Sequence, residues 1–406
     1  MRNFRNYDIW KNGMEIADVV YGLTGQFPKY ETYGLADQVR RAAVSIPSNI
    51  AEGSSRTSEA EFTHFLEYSI SSCFEVETQM EIACRRDYIR KEQFDGLLSQ
   101  LQTEERQISQ FISKLKKMSS NNEAKGQELI AKVADCLVRA GSTFREDQKE
   151  AYRKAIATED NEKSCWVMRQ VLDNALVAEE RRSPLCDDTG IPHLFLEVGK
   201  NKSVTGELIE QIKEGVRQGL RQLPGRPMAI NGDDYARIDQ SGGLDEDSGA
   251  LSASPIIIKP VDEDVLRLTV LMLGGGPAIR GITQRVFHKH SVDVVIDEIV
   301  NRAKPAVSQL GCSPCVLAIG IGRSQFEATS LMMEAMVKGN FSVQSDFEKR
   351  ITDKVNEAEV GPLGLGGKHS VLATFAKIGP QRASGVRIVA LRPCCCFEPR
   401  RASVEL

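Results

Sequence analysis

The pattern of apolar residues changes character once along this chain, and that change limits the possible folds more than any other feature. Apolar side chains first recur at helical spacing, through Ile9-Trp10-Met14-Ile16-Val19-Val20, Leu35-Val39-Ala42-Ala43-Ile46, Phe62-Phe65-Leu66-Ile70 and Phe94-Leu97-Leu98-Leu101-Ile108-Ile112-Leu115. Short polar joints separate the four runs, which predicts an all-α, up-and-down four-helix bundle over residues 1–117. Pro47 predicts a kink in the second helix, or a restart at Ser48-Asn49. Met118-Ser119-Ser120-Asn121-Asn122-Glu123 is polar and without apolar period, and reads as a linker over 118–124. Residues 125–406 then mix helical stripes with strand-like runs at Leu194–Val198, Ile256–Ile258, Leu266–Leu273, Val316–Ile319 and Val386–Ala390, with helices near 291–310 and 326–338. That alternation predicts a second, mixed α/β (α+β) domain.

Length and charge agree with two soluble domains. At 406 residues the chain can bury more than one ordinary core. A net charge of −4 disfavours nucleic acid as a partner through bulk electrostatics. The basic N-terminus runs into polar sequence, so neither a signal peptide nor a transmembrane span is read, and the chain is expected in the cytoplasm with no membrane partner. In that compartment its ten cysteines stay reduced.

Three cysteine-bearing stretches stand out. Ser183-Pro184-Leu185-Cys186-Asp187-Asp188-Thr189-Gly190 sets a thiol two residues before a carboxylate, in a loop marked by Pro184 and Gly190. There a thiolate can hold a metal while Asp188 faces whatever the metal holds. Cys312-Ser313-Pro314-Cys315 and Cys394-Cys395-Cys396 both lie beside strand-like runs, and three adjacent cysteines suit metal or cluster ligation better than a disulfide framework. A free cysteine is more often a small buried hydrophobe, so the residues alone leave open which thiol of each run is a ligand. His64, Cys73 and Cys84, among helical positions of the first segment, read as structural.

Two glycine-rich loops add a possible anion cradle. Gly274-Gly275-Gly276 leaves a strand directly, so its N–H groups, those of Gly275 and Gly276 above all, can face an anionic substrate with Arg280 or Arg285 nearby. Gly361-Pro362-Leu363-Gly364-Leu365-Gly366-Gly367-Lys368 is similar. Neither fits a Walker A loop or a dinucleotide fingerprint, and a tight turn is the plain alternative for each.

The stretch Ala36 to Gly53 resembles the signature of the four-helix bundle family named for intervening sequences in large-subunit ribosomal RNA, and the resemblance covers the whole first segment. It implies self-association through the bundle and no established enzymatic role. Arg40, Arg41, Asn49 and Glu52 read as a solvated or subunit-facing surface rather than a functional patch.

Residues 125 to 406 carry a second resemblance. Cys186-Asp187-Asp188-Thr189-Gly190, Gly274-Gly275-Gly276, Cys312 through Gly322, Gly361 through Gly367, and Cys396-Phe397-Glu398-Pro399-Arg400-Arg401 are similar, in order, to the motifs of the class I fumarase and tartrate dehydratase family, in its alpha subunit. The resemblance implies a [4Fe-4S] cluster held by Cys186, Cys312 and Cys396, with Cys315 the alternative at the second motif and Cys394 or Cys395 at the third. It places Asp188 as the catalytic carboxylate and Arg226 as a grip on a substrate carboxylate. Asp187 stands where the family usually has Gln. The activity implied is reversible hydration of a C4 dicarboxylate, fumarate and malate first and tartrate second. No base for the carbon-bound proton is recognised in the chain, and the resemblance implies a separate beta subunit that completes the site. The alternative is an oligomeric binding or scaffold protein whose fumarase-like domain is inactive.

Overall fold

The computed structural model describes every residue except Met1, Thr189 and Pro224, and the backbone alone of Met118, Ser119, Asn121 and Asn122. Thr189 of the first cysteine motif, and Pro224 at the expected break after the helix carrying Leu208 and Leu220, therefore lie outside the described residues. The chain divides into two compact units, Met1–Lys125 and Gly126–Leu406.

The first unit is built from α1 (Asp8–Thr24), α2 (Leu35–Ser54), α3 (Glu59–Arg85) and the leading part of α4 (Lys91–Ser142). Each helix buries one stripe, for example Ile16, Val20 and Leu23 on α1, against Val39, Ile46, Cys73, Val76, Met80 and Leu97 from its neighbours. Two points are corrected: the restart offered as one outcome at Pro47, and the conformation of the stretch read as a linker. Pro47 neither ends nor restarts its helix: α2 runs unbroken through it, and Pro47 is buried on the helix face that packs. The stretch read as a linker is helical, because α4 continues through residues 118–124 to Ser142. Polar composition removes a packing stripe, but with no proline from Lys91 to Ser142 nothing stops the backbone hydrogen bonds from propagating. Arg40 donates to Thr24 (2.8 Å), Asn49 to Ser45 (3.0 Å), and Arg41 and Glu52 pair with Asp37 and Arg56, so all four expected surface residues have partners within the unit.

One buried group in this unit has a measurable consequence. Glu104 is fully buried and neither carboxylate oxygen has a hydrogen-bond partner. Burial raises its pKa from 4.5 to about 8, while Asn12 pulls the other way. The folded chain thus holds a proton that the unfolded chain has released, and stability must fall as pH rises from about 4.5 to about 8. At about 1.4 kcal/mol per pKa unit the loss is on the order of 5 kcal/mol. Chemical denaturation at pH 5 and pH 9 is expected to show this drop in the native chain and a much smaller one in Glu104→Gln, which stays neutral. Equal drops in both would show that Glu104 is not the group responsible.

The second unit continues from α4 through α5 (Glu146–Thr158), α6 (Glu162–Arg181), β1 (Ile191–Gly199), α7 (Gly206–Gln222), the short α8 (Asp234–Asp239), β2 (Ile257–Val261) and β3 (Leu266–Leu273). It goes on through the one-turn α9 (Gly275–Ala278), β4 (Ile282–Phe287), α10 (Val292–Ser308), β5 (Cys315–Gly322), α11 (Gln325–Lys338), α12 (Asp346–Asn356), β6 (Val371–Ile378), β7 (Val386–Cys394) and β8 (Arg400–Glu405). Two four-stranded mixed sheets result, in the orders β2-β1-β3-β8 and β4-β7-β5-β6. In the first, β1 pairs parallel with β2 and antiparallel with β3; in the second, β5 pairs parallel with β6 and antiparallel with β7. This is the mixed α/β domain that the patterning predicted. β7 and β8 belong to different sheets, so the five residues between them, which include Cys395 and Cys396, cross from one sheet to the other.

Candidate active site

Packing brings the first and third cysteine motifs together. Leu185, next to Cys186, and Phe397, next to Cys396, belong to one apolar cluster with Phe144, Tyr152, Ala155 and Met168. The N–H of Leu185 donates to the Gly141 carbonyl (3.0 Å), and its own carbonyl accepts from the Asn174 amide (3.0 Å), which fixes the loop in front of Cys186. Fully buried Tyr152 stacks on Phe144 and donates its hydroxyl to the Cys396 carbonyl at 2.7 Å. The Cys396 N–H in turn donates to the Cys312 carbonyl at 2.9 Å, so the second motif joins the other two.

Within each run the thiols separate. Cys315 opens β5, fully buried in the apolar core with Val295, Ile299 and Val371, and Cys394 ends β7 with its sulfur 3.6 Å from that of Met336 in another core. Cys312 is exposed, Cys186 and Cys395 are half-buried, and Cys396 is buried. Burial raises the Cys312 thiol pKa, with the charges of Cys395, Asp187 and Asp188 adding to it and Arg280 opposing. Burial pushes Cys186 up to about 11, helped by its contact with Asp187 at 3.4 Å and opposed by the Asp188 N–H and Arg400. Cys395 and Cys396 act on each other through their side chains: Cys395 is held below the ordinary thiol value, and Cys396 well above it with Cys312 and Cys186 adding to the rise. Four thiols from three loops therefore share one neighbourhood.

Asp188 is held beside them by backbone. Its Oδ2 accepts the Gly275 N–H at 2.8 Å, and its carbonyl accepts from Arg400 at 2.8 Å, while Oδ1 is buried with no partner. Two glycines make this approach possible. A Cβ on Gly274 would lie 2.6 Å from Asp188 Oδ2, and one on Gly190 would lie 2.6 Å from the Arg400 guanidinium, at a φ of +79° that disfavours any side chain.

The glycine loops do meet anions, but the anions are the chain's own carboxylates. Gly274 N–H donates to Glu398 (2.6 Å) and Gly275 N–H to Asp188, which leaves exposed Gly276, of the two glycines expected to face substrate, without such a carboxylate bond. In the second loop, Lys368 and His369 donate to Glu159, Gly361 to Ser370, and Leu363 to the Ser313 carbonyl, so its expected cradle serves to fasten the Cys312 motif. Arg226 is exposed in the segment after α7. Arg280 donates to the Gly276 carbonyl (2.9 Å) and its Nε is buried without a partner. The sequence gives Tyr152, Arg392 and Glu398 no role of their own. Glu398 sits inside a matched motif, and that position is the one signal that could have singled it out.

No group of three or more His, Cys, Asp or Glu converges on a point as a single metal ion would require, among the described residues. A cluster binds differently, each thiolate taking a separate iron, so its ligands stay apart. Soft sulfur donors on three separate loops, close enough to influence one another, fit that group.

The gathered thiols thus lie with a carboxylate beside a glycine turn on a mixed α/β unit. Residues 130–405 match the fumarate hydratase (Fumerase) family, and the chain belongs to that family of hydro-lyases. Residues 5–110 match the 23S rRNA-intervening sequence protein family. A Methanocaldococcus jannaschii protein provisionally named L(+)-tartrate dehydratase subunit alpha is 29% identical, over 67% of this chain and 96% of that protein. The L(+)-tartrate dehydratase subunit alpha of Escherichia coli K12 is 23% identical over 68% of this chain and 90% of its own length. A solved structure of unknown function from the S23 ribosomal protein family of Bacteroides thetaiotaomicron is 22% identical, covering 26% of this chain and 97% of its own, at a TM-score of 0.25. No helix among the described residues is long and apolar enough to cross a membrane.

Proposed function

We propose that this chain is the alpha subunit of an iron–sulfur hydro-lyase that adds water to, and removes it from, a C4 dicarboxylate. The observation that carries the reading is the meeting of Cys186, Cys312 and the Cys395-Cys396 pair with Asp188 at the Gly274–Gly275 turn. Cys186, Cys312 and Cys396 would hold a [4Fe-4S] cluster, with Cys395 the neighbour that could replace Cys396. When bound, such a cluster offers an open iron as a Lewis acid to the departing hydroxyl.

The chain's own residues bind and orient. Arg226 offers a planar fork to a substrate carboxylate, which a lysine would not reproduce. Asp188 has one oxygen fixed by the Gly275 N–H and the other unpartnered, so it can receive or hold a proton without first breaking a bond to protein. Gly276, exposed at the same turn, leaves room for substrate to approach. Cluster loading must release thiol protons, since burial keeps Cys186 and Cys312 protonated, and loading should weaken as pH falls.

The sequence offers no base for the carbon-bound proton. The named relatives are alpha subunits, which supports a separate beta subunit as the source of that base and of a second carboxylate grip. Fumarate, malate and tartrate all fit the chemistry, and the relatives' names make tartrate the first to assay. The bundle would add self-association.

Asp188→Asn tests the reading. In the reconstituted complex it is expected to lower turnover by about 10² or more, the scale of a lost proton-transfer group, while bound iron and sulfide stay at native content. Loss of iron in step with activity would make Asp188 a structural residue of the thiol site and remove its catalytic role.

A further inference from the structure

The Gly275 N–H that fixes Asp188 is itself fixed by a buried ion pair. Glu398 is 1% exposed and accepts the Gly274 N–H at 2.6 Å. Arg392, 7% exposed on β7, donates to the Gly274 carbonyl at 3.0 Å and to both Glu398 oxygens at 3.2 and 3.1 Å. One glycine is thus gripped at its N–H by the carboxylate and at its carbonyl by the guanidinium. The next N–H along the chain is the donor to Asp188, and the gripping carboxylate stands two residues after Cys396.

We propose that Glu398 and Arg392 are positioning residues, which set the Asp188 carboxylate relative to the thiols by holding the Gly274 peptide from both sides. The proposal rests on the reading of Asp188 and the thiols as the reaction site. Core stability does not require this pair, because a buried ion pair is often no more stable than well-packed apolar residues of like size. Its distinctive effect is register: β7, the end of β3 and the Cys396 loop are locked at one residue. An error of 1 Å in the placement of a reacting group can cost about a hundredfold in rate.

The test reads amide exchange in the full-length, metal-free chain, by mass spectrometry of peptides covering residues 273–281. Asp188→Ala gives the rate of a freed Gly275 amide. Glu398→Gln leaves the Arg392 charge buried and unpaired and can fail to fold, so Arg392→Met/Glu398→Leu, which removes both charges, carries the test. The double variant is expected to exchange Gly275 at least tenfold faster than the native chain, approaching Asp188→Ala, while the amides of β5 keep their native rates. Native exchange at Gly275 in a folded double variant would overturn the proposal, as would a uniform rise across β3, β5 and β7, which a merely structural pair would give. In the complex with its partner, the double variant should lose ten- to a hundredfold in kcat, with KM within twofold and iron content unchanged; a raised KM with native kcat would also overturn it. Exchange needs no turnover, so failure of the hydro-lyase reading, seen as an inactive native complex, stays distinguishable from failure of this one.

Discussion

Purified without a partner, the chain is expected to interconvert fumarate, malate or tartrate at least about a hundredfold, and up to about ten-thousandfold, more slowly than its complex, the range that a missing proton-transfer group spans. The loss of the second carboxylate grip, and of the substrate positioning that goes with it, should push the deficit toward the upper end. Adding a separately expressed beta subunit should restore turnover under anaerobic conditions without changing the iron and sulfide already bound. The reciprocal control matters, because the partner alone should show no hydratase activity at all. Full turnover by the isolated chain would mean that it holds its own base. No turnover in a complex with the cluster intact would favour a binding or scaffold role for a fumarase-like unit that has lost its chemistry.

The sequence made the long apolar runs legible and left the polar connections obscure, for reasons visible in particular residues. β3 coincides with the predicted Leu266–Leu273, and β1, β5 and β7 contain the predicted runs, because apolar residues dominate each run, and β5 is buried at every position. β8 is an edge strand beginning Arg400-Arg401, and its first arginine is buried only because the Met272 and Asp188 carbonyls accept from it. Nothing in a single sequence announces such acceptors. β4 is another edge, with Val286 its one buried residue, and offers no alternation to read. The linker was misleading for the opposite reason: a missing apolar stripe says that a segment is not packed, and it does not say that the backbone leaves the helix.

The candidate site was legible where chemistry sits in short motifs and opaque where contacts join distant positions. Cys186, Cys312, Cys396 and Asp188 could be named from spacing and resemblance, and their neighbourhood follows from Leu185 and Phe397 sharing one apolar cluster. Tyr152 reaches Cys396 across 244 residues and Arg392 reaches Gly274 across 118, separations over which no local pattern operates. The glycine loops illustrate a subtler limit. Their N–H groups suit carboxylates as expected, but Glu398, Asp188 and Glu159 supply those carboxylates from within the chain. A loop built to bind an anion and a loop built to anchor a neighbouring side chain look alike in sequence.

Replacing the thiols one at a time is expected to give the sharpest separation. Cys186→Ser and Cys312→Ser should each abolish bound iron and sulfide after anaerobic reconstitution, and reduce activity of the complex to background, since a serine hydroxyl is a poor substitute for thiolate at a sulfur-ligated cluster. Cys315→Ser and Cys394→Ser should retain both, because those side chains point into apolar cores beside Val371 and Met336, and should instead lower the denaturation midpoint. Iron lost in Cys315→Ser and kept in Cys312→Ser would reverse the assignment in the second motif. The third motif is the closest contest. Cys396 is buried, with its N–H bonded to Cys312 and its carbonyl to Tyr152, whereas Cys395 is half-exposed in the same neighbourhood with the more easily ionised thiol. The family spacing favours Cys396, so Cys396→Ser should lose the cluster and Cys395→Ser should keep it. The opposite result would make Cys395 the ligand and leave Cys396 a residue that Tyr152 and Cys312 hold in place.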